Sequence, residues 1–434
     1  MHYVSANKTT NPQINQYTTF MRLLFYGLNY HPELTGIGKY TGEACERLAA
    51  QAHDVEVITT PPYYPAWQVN KEYRGKNWYT ETLNGVKVRR CTFYIPEKVT
   101  AVKRILMEMT FITSSLVYWL PKFFSKKFDV VVCVVHPFQL GMLPLIYHKI
   151  RGVPFVYHIQ DLQIDIADEM GMIKNKTLFK IMYKMERYIM DNAVVVSSIS
   201  DGMLNKIRGK QLKRDNTYLF PNWVDTKFIK SLSKQDSLLE KLGYSLDDFI
   251  VLYSGNMGEK QGLEIVIEAA DLLKDNARIK FVMVGEGNTR TGLENSAKEK
   301  KLENIRFFPL QPYADLPKLL AMADIHLVLQ KKSASDLVLP SKLTGILSAG
   351  GVAIISAGEN SYLYNEVKQN NLGVTIAPEN GKNLSDAILS LMNDTAACDV
   401  YRANALKYSA QYLDKDSILT RFENLLKTVA SNEQ

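Results

Sequence analysis

Two lysines and a series of glycines stand where they could hold a diphosphate. In YSGNMGEKQGLEIVIEAA a β-branched run ends at Ser254, glycines fall at 255, 258 and 262, and Lys260 precedes a helical pattern. Glycines let backbone amides approach a ligand, and a helix N-terminus presents unpaired N–H groups to an anion. One ammonium beside them helps to neutralise the roughly two negative charges of a diphosphate. Farther on, in KKSASDLVLPSKLTGILSAGG, Pro340 closes an extended approach and Ser341 is expected to cap a helix over 342–349. Lys342 then falls in the first helical turn, where the helix dipole disfavours a cation. A bound anion would account for that placement, and an ordinary surface lysine is the plainer alternative.

The first half offers a related turn in GLNYHPELTGIGKYTGE, where Gly36 and Gly38 open a helix with Cys45, Leu48 and Ala49 on its apolar face. A tight turn with nothing bound reads the same way. A dinucleotide is not expected there. GxGxxG would need a glycine at Thr41, and the next strand ends in Thr59-Thr60 without an acid for a ribose. In VYHIQDLQID, His158 and Asp161 fall at the C-terminal end of a strand, the end that faces the ligand crevice in open parallel sheets. His136 ends the strand before it. A lone histidine is otherwise a satisfied interior residue.

These positions need elements to hold them. Short β-branched runs alternate with helical patterns: Arg22–Tyr26, Asp54–Thr59, 86–91, Val130–Val135, Phe155–Ile159 and 194–198. After a polar stretch (225–248) the series restarts with 250–254, Ile279–Val284, Ile305–Phe308, 325–329 and 352–356. Apolar runs of this length between helices indicate parallel strands buried on both faces. The restart predicts an α/β protein of two doubly wound domains facing one another, which a length of 434 residues accommodates.

The apolar fraction of 46% with 22% charged residues is that of a globular chain. Cys45, Cys91, Cys133 and Cys398 lie far apart without ligand spacing, so neither a structural metal nor a disulfide framework is expected. Residues 1–20 are polar, without the apolar stretch of a signal peptide, and read as a disordered tail. The first 220 residues hold 28 Lys and Arg against 18 Asp and Glu, and the remainder 24 against 27. The basic half is expected to meet something anionic. Without a basic stripe interleaved with aromatics, a membrane surface or lipid diphosphate fits better than nucleic acid. The largely apolar 105–120, flanked by Lys103, Arg104, Lys122, Lys126 and Lys127 and containing Glu108, is too short to span a bilayer. It reads either as a core helix or as an interfacial helix on a membrane.

Together the segments YGLNYHPELTGIGKYTGE, VITTPPYYPAWQV, HIQDLQID, FPNW, YSGNMGEKQGLEIVIEAADLL, FFPLQPY and SDLVLPSKLTGIL resemble the GT-B retaining glycosyltransferases of family 4. More narrowly they resemble the colanic-acid-type exopolysaccharide fucosyltransferases. The resemblance runs over about 21–430 and implies two Rossmann-like domains, an acceptor-side one (21–222) and a nucleotide-sugar-binding one (223–410). A final helix (411–434) is expected to pack back on the first. It implies that Gly255, Asn256 and Lys260 hold the donor diphosphate, with Ser341 and Lys342 as a second phosphate contact. Gly285, Gly287 and Leu310 would form the nucleoside edge, Gly36 and Gly38 the cover over the transferred sugar, and His158 its neighbour. One departure stands out: the two family glutamates on the last loop and helix correspond to Leu337 and Gly345, leaving Asp336 as the sugar-side carboxylate and Glu264 or Glu268 as substitutes at the ribose.

The chemistry so implied is sugar transfer with retention. The donor phosphate takes the acceptor's proton, without a metal or other cofactor, in a cytoplasmic protein peripheral to the membrane. The implied donor is GDP-fucose, with a UDP-sugar as rival, and the implied acceptor a polyprenyl-diphosphate-linked oligosaccharide. A nucleotide-sugar epimerase on the same fold, or a nucleotide-sugar-binding partner without activity, are the competing readings.

Overall fold

The structure is a computed structural model that describes residues 20–33, 36–64, 66–98, 100–169, 175–332, 339–359 and 361–431. Residues 1–19, most of the expected tail, and Asp336 and Leu337 lie outside the described residues.

Eight strands form the first sheet: β1 Arg22–Tyr26, β2 Asp54–Thr59, β3 Tyr79–Leu83, β4 Val86–Arg90, β5 Val130–Val135, β6 Phe155–Ile159, β7 Val195–Ser198 and β8 Thr217–Leu219. Their order is β3-β4-β2-β1-β5-β6-β7-β8. Six more form the second: β9 Phe249–Ser254, β10 Ile279–Val284, β11 Ile305–Phe308, β12 Ile325–Val328, β13 Ala353–Ser356 and β14 Gly373–Ile376, in the order β11-β10-β9-β12-β13-β14. Helices α1 Gly36–Ala50, α2 Ala101–Lys122, α3 Met142–Arg151, α4 Gln163–Glu169, α5 Lys176–Asn192 and α6 Asp201–Gly209 serve the first sheet. Helices α7 Glu264–Leu272, α8 Arg290–Glu299, α9 Leu316–Ala321, α10 Ser341–Ser348, α11 Tyr362–Gln369, α12 Gly381–Asn393 and α13 Thr395–Tyr408 serve the second, and α14 Lys415–Ser431 ends the chain.

The central strands are apolar throughout because both faces are covered. In β1, Leu24 and Tyr26 enter the layer built with α2, α3, α5 and α6, whereas Leu23 and Phe25 enter the layer of α1 and α14. The expected α/β pair of parallel sheets is therefore present, with three strands that the β-branched runs did not reveal. β3 runs antiparallel to β4 across a two-residue turn, Asn84-Gly85, both with positive φ (49° and 83°). Its sequence, YTETL, is half exposed and polar, as suits a sheet edge. β8 and β14 are edge strands of three and four residues.

Helix α14 leaves the second domain and packs on the first. Ile418, Phe422, Leu426 and Val429 join Leu23, Phe25 and Trp223 in one core layer, and Phe422 stacks on Phe220 at 3.9 Å. Burial of each large side chain contributes about 1.5–3 kcal/mol. Where the chain crosses between domains for the second time, Val224 and Asp414 form a parallel bridge, and Thr226 donates to the Asp414 carboxylate at 2.5 Å.

Two expectations need correction. Ser341 is not the N-cap of α10: Pro340 holds that place, and Ser341 is the first helical residue with its side chain exposed. The segment 105–120 is neither wholly core nor wholly surface. In α2, Phe111, Ser115 and Trp119 are buried, while Val102, Ile105, Leu106, Met109, Val117 and Leu120 are exposed. Nor are all five flanking cations on that surface, because Lys122 is buried against Glu56 and Arg104 turns toward His136.

Candidate functional site

The candidate groups of both domains lie at or beside the carboxyl ends of parallel strands, and these ends face one another. Asp161, just past β6, feels the ammonium of Lys260, just past β9. Lys39 of α1 stands 5.7 Å from the ring of Tyr313, beyond β11, and so marks another point of approach.

On the second domain, β9 runs into Gly255-Asn256-Met257-Gly258 and β10 into Gly285-Glu286-Gly287. These loops continue the pairing of their strands: Gly255 N–H donates to the Val284 carbonyl and Met257 N–H to the Glu286 carbonyl. They approach so closely that a Cβ at Gly285 would lie 1.9 Å from the Gly255 carbonyl oxygen, and one at Gly287 2.1 Å from that of Met257. Both glycines are therefore needed for loop-on-loop contact before any ligand arrives. Arg290 donates to the carbonyls of Gly285 and Phe308, tying β11 to the same turn. Leu310, just beyond, is 66% exposed.

Lys342 reaches back from α10 to this loop. Its Nζ donates to the Tyr253 hydroxyl at 2.9 Å, lies 4.2 Å from the centre of that ring, and would be 3.5 Å from a Cβ at Gly255. Burial lowers its pKa to about 8, and no carboxylate among the described residues pairs with it. Lys260 is exposed in the short helical turn after Gly258, and its carbonyl accepts from Lys331 N–H, which pins the β12 loop to the β9 loop. Gly255, Asn256 and Lys342 are thus brought together, with Lys260 exposed on the continuation of the same loop, Gly285, Gly287 and Leu310 along one side and Ser341 at the α10 N-terminus. Tyr253 belongs to this set and was missed, because a tyrosine inside a buried strand gives no sign of its hydroxyl. Glu264 and Glu268, the proposed ribose substitutes, are exposed on α7, and the Glu268 carboxylate lies against Gly381 of α12.

On the first domain the turn before α1 is organised by a residue that the motif did not reveal. Glu33 is buried, and its carboxylate accepts from the N–H groups of Tyr63 and Tyr64 and from Asn29. A Cβ on Gly38 would lie 2.5 Å from that carboxylate, so Gly38 makes room for it, while Gly36 takes φ +63°. Burial raises the Glu33 pKa against the pull of these donors. Arg90, fully buried, donates to the carbonyls of Thr60 and His31 and so fixes two loops at once. Buried arginine in a strand end is visible only once its neighbours are.

His158 does not open onto the cleft with Asp161. It is 2% exposed, shares hydrogen bonds with Ser197 Oγ (3.0 Å) and Gln160 (2.9 Å), and packs on Phe220. Burial lowers its pKa to about 3, which keeps the ring neutral. The alternation of β6 explains this: His158 points into a face of the sheet, whereas Asp161 lies beyond the strand. His136, next to Arg104, is likewise held neutral near 3 by burial and then by that guanidinium.

Comparison with known proteins agrees with this arrangement. Residues 35–223 match the glycosyl transferase 4-like domain and residues 234–408 the glycosyl transferases group 1. A putative colanic acid biosynthesis glycosyl transferase of Escherichia coli is 39% identical over 417 residues, covering 93% of this chain and 99% of the relative. Among solved structures, sucrose-phosphate synthase of Thermosynechococcus elongatus superposes with a TM-score of 0.72 at 15% identity, over 95% of this chain and all of the other. HepE of Anabaena, solved in complex with UDP and glucose, does so with 0.66 at 14% identity, over 94% and all of the other. With two paired α/β domains of the GT-B type and both halves matched in sequence, the chain belongs to the group 1 glycosyl transferases and is a glycosyltransferase.

Proposed function

We propose that the chain moves a sugar, fucose from GDP-fucose, onto a lipid-linked precursor of an extracellular polysaccharide, with retention at the anomeric carbon. The observation that carries the donor reading is Lys342: an ammonium set beside a glycine loop, with a tyrosine hydroxyl as its neighbour and no carboxylate partner among the described residues. A diphosphate between the Gly255 turn, Lys260, Lys342 and the α10 N-terminus would satisfy it. The bond from the sugar's anomeric carbon to the diphosphate breaks, and the acceptor oxygen bonds to the same face. The acceptor's proton passes to the departing phosphate oxygen. The chain's part is to hold the two partners together and to stabilise the leaving charge. His158, buried with both ring nitrogens engaged, would act by shaping the wall beneath the sugar.

The polysaccharide setting draws support from the Escherichia coli relative, whose name places it in colanic acid biosynthesis. A UDP-sugar is the second reading, favoured by HepE, which was also solved with UDP-glucose. The lipid-linked acceptor fits the exposed apolar stripe of α2. α3 lies beside it, Tyr147 packing on Trp119 and Phe123 while Ile146 and Ile150 stay exposed. No helix among the described residues is long and apolar enough to cross a membrane. The test is release of nucleoside diphosphate from GDP-fucose and UDP-sugars in the presence of extracted lipid-linked saccharides. Lys260→Ala should lower kcat/KM by roughly 2–4 kcal/mol in transition-state terms. A folded variant with unchanged kinetics would remove Lys260 from the site.

A further inference from the structure

We propose that Arg104, Glu108 and Gln163 form the subsite for the terminal sugar of the acceptor. Glu108 lies one turn after Arg104 on α2 and is 1% exposed. Its Oε1 accepts from Gln163 Nε2 at 3.2 Å and lies 3.4 Å from Arg104 Nε. Its other oxygen, Oε2, has no hydrogen-bond partner among the described residues, and neither has Gln163 Oε1 or Arg104 Nε. Glu108 Oε2 and Gln163 Oε1 are wholly unmet, and Arg104 Nε has only its ion pair with Glu108; each buried donor or acceptor left unpaired costs about 1–3 kcal/mol.

The place is the cleft. Gln163 opens α4 two residues after Asp161, His136 follows β5, and the guanidinium of Arg104 donates to the His136 ring. Arg104 and Lys260 both act on Asp161, so the cluster and the lysine assigned to the donor diphosphate lie around one carboxylate. A second phosphate does not suit it, because the Glu108 carboxylate would repel an anion. A lipid chain would leave both oxygens unpaired. Two hydrogen-bond acceptors, a carboxylate oxygen and an amide carbonyl, beside a guanidinium N–H are the complement of a vicinal diol, whose hydroxyls donate and accept in turn. A neutral sugar is therefore the occupant. The same helix exposes Leu106 and Met109 beside buried Glu108, so a lipid-borne sugar could reach the cleft while its carrier stays outside.

This inference rests on the donor reading, and its experiment separates the two. Full-length protein saturated with GDP, and separately with UDP, is examined by saturation-transfer NMR against methyl α- and β-pyranosides of glucose, galactose and fucose. At least one glycoside should receive saturation from the wild type. In Glu108→Gln and Gln163→Leu that transfer should fall at least fivefold, with the thermal shift given by the nucleotide unchanged. Gln163, only partly buried, carries the test if the Glu108 variant does not fold. Equal saturation in a folded variant, or none from the wild type with any glycoside, overturns the subsite. Absence of any nucleotide shift in the wild type overturns the donor reading instead, and saturation lost in the variants would still support the sugar site.

Discussion

The Lys342 ammonium, carried by the first turn of α10, donates to the Tyr253 hydroxyl at the end of β9, and that hydroxyl donates to the Asn256 carbonyl at 2.5 Å. Ammonium, phenol and glycine loop form one unit, although 89 residues separate the lysine from the tyrosine. The dipole of α10 and burial act against the charge, the Tyr253 hydroxyl and ring offset this in part, and an anion at the loop would favour it further.

A pH dependence follows. The Lys342 pKa lies near 8 in the folded chain, against 10.5 for a free lysine. Between these values the unfolded chain binds more protons, so stability contributed here rises with pH from about 8 to 10.5 and is lost below. At neutral pH the ammonium costs on the order of 3 kcal/mol. Lys342→Met should therefore raise the melting temperature at pH 7 while removing the stabilisation by GDP or UDP. In the wild type, nucleotide affinity should weaken above pH 8 as the ammonium is lost. A methionine variant that melts lower and still answers to nucleotide would contradict the placement.

Gly285→Ala should be severe, since its Cβ would meet the Gly255 carbonyl oxygen at 1.9 Å in a backbone conformation with φ +150°. Both neighbours are main chain and cannot step aside. A loss of roughly 2–4 kcal/mol and of nucleotide binding is expected. Gly292 in α8 is the control: a Cβ there meets nothing within 4 Å, so alanine should stabilise by about 0.5–1 kcal/mol. Equal melting curves for the two variants would show that the loops are not packed as described.

Much of this was legible in the sequence for a physical reason. Strands buried on both faces, such as VVVCVV, write their burial into every position, and loops that need backbone approach write it as glycine. What stayed hidden depends on distant neighbours. β3 is a half-polar edge, Glu33 and Arg90 are charges whose partners lie on other loops, and Tyr253 reads as one more core aromatic. His158 differs again: its place at the end of β6 could be read from the strand, but that its ring is buried and bonded to Ser197 and Gln160 could not. Lys342 stands out in the sequence through a local rule that it breaks, a cation in the first turn of a helix.

Attachment to a membrane should depend on one face of α2. Its exposed Val102, Ile105, Leu106, Met109, Val117 and Leu120 are joined by Phe124, 89% exposed, and flanked by Lys103, Lys126 and Lys127. Arg104 and Lys122 are engaged inside the domain and should not contribute. Reversal of Lys103, Lys126 and Lys127 to glutamate should release the protein from vesicles rich in anionic lipid, with about 1 kcal/mol per charge. High salt should weaken the wild type in the same direction. Wild-type protein that never sediments with such vesicles would sink this reading.

The base of the donor is the remaining choice. The proposed diphosphate site of glycine loops and two lysines would be indifferent to what lies beyond the diphosphate. On the proposed reading, discrimination is expected from the edge formed by Gly285, Glu286 and the residues after β11. There Leu310 offers an exposed apolar surface, and Glu286, beside Arg290, an exposed carboxylate. Guanine presents two N–H donor groups on one edge, which a carboxylate can accept together, whereas uracil presents one. A site built for the first leaves groups unpaired with the second. GDP should therefore raise the melting temperature more than UDP at equal concentration, in proportion to RT ln(1 + [L]/Kd). Glu286→Gln should narrow that difference while leaving the response to inorganic diphosphate unchanged. A larger shift with UDP would replace fucose by a UDP-linked sugar, and the diphosphate site at Lys260 and Lys342 would stand as before.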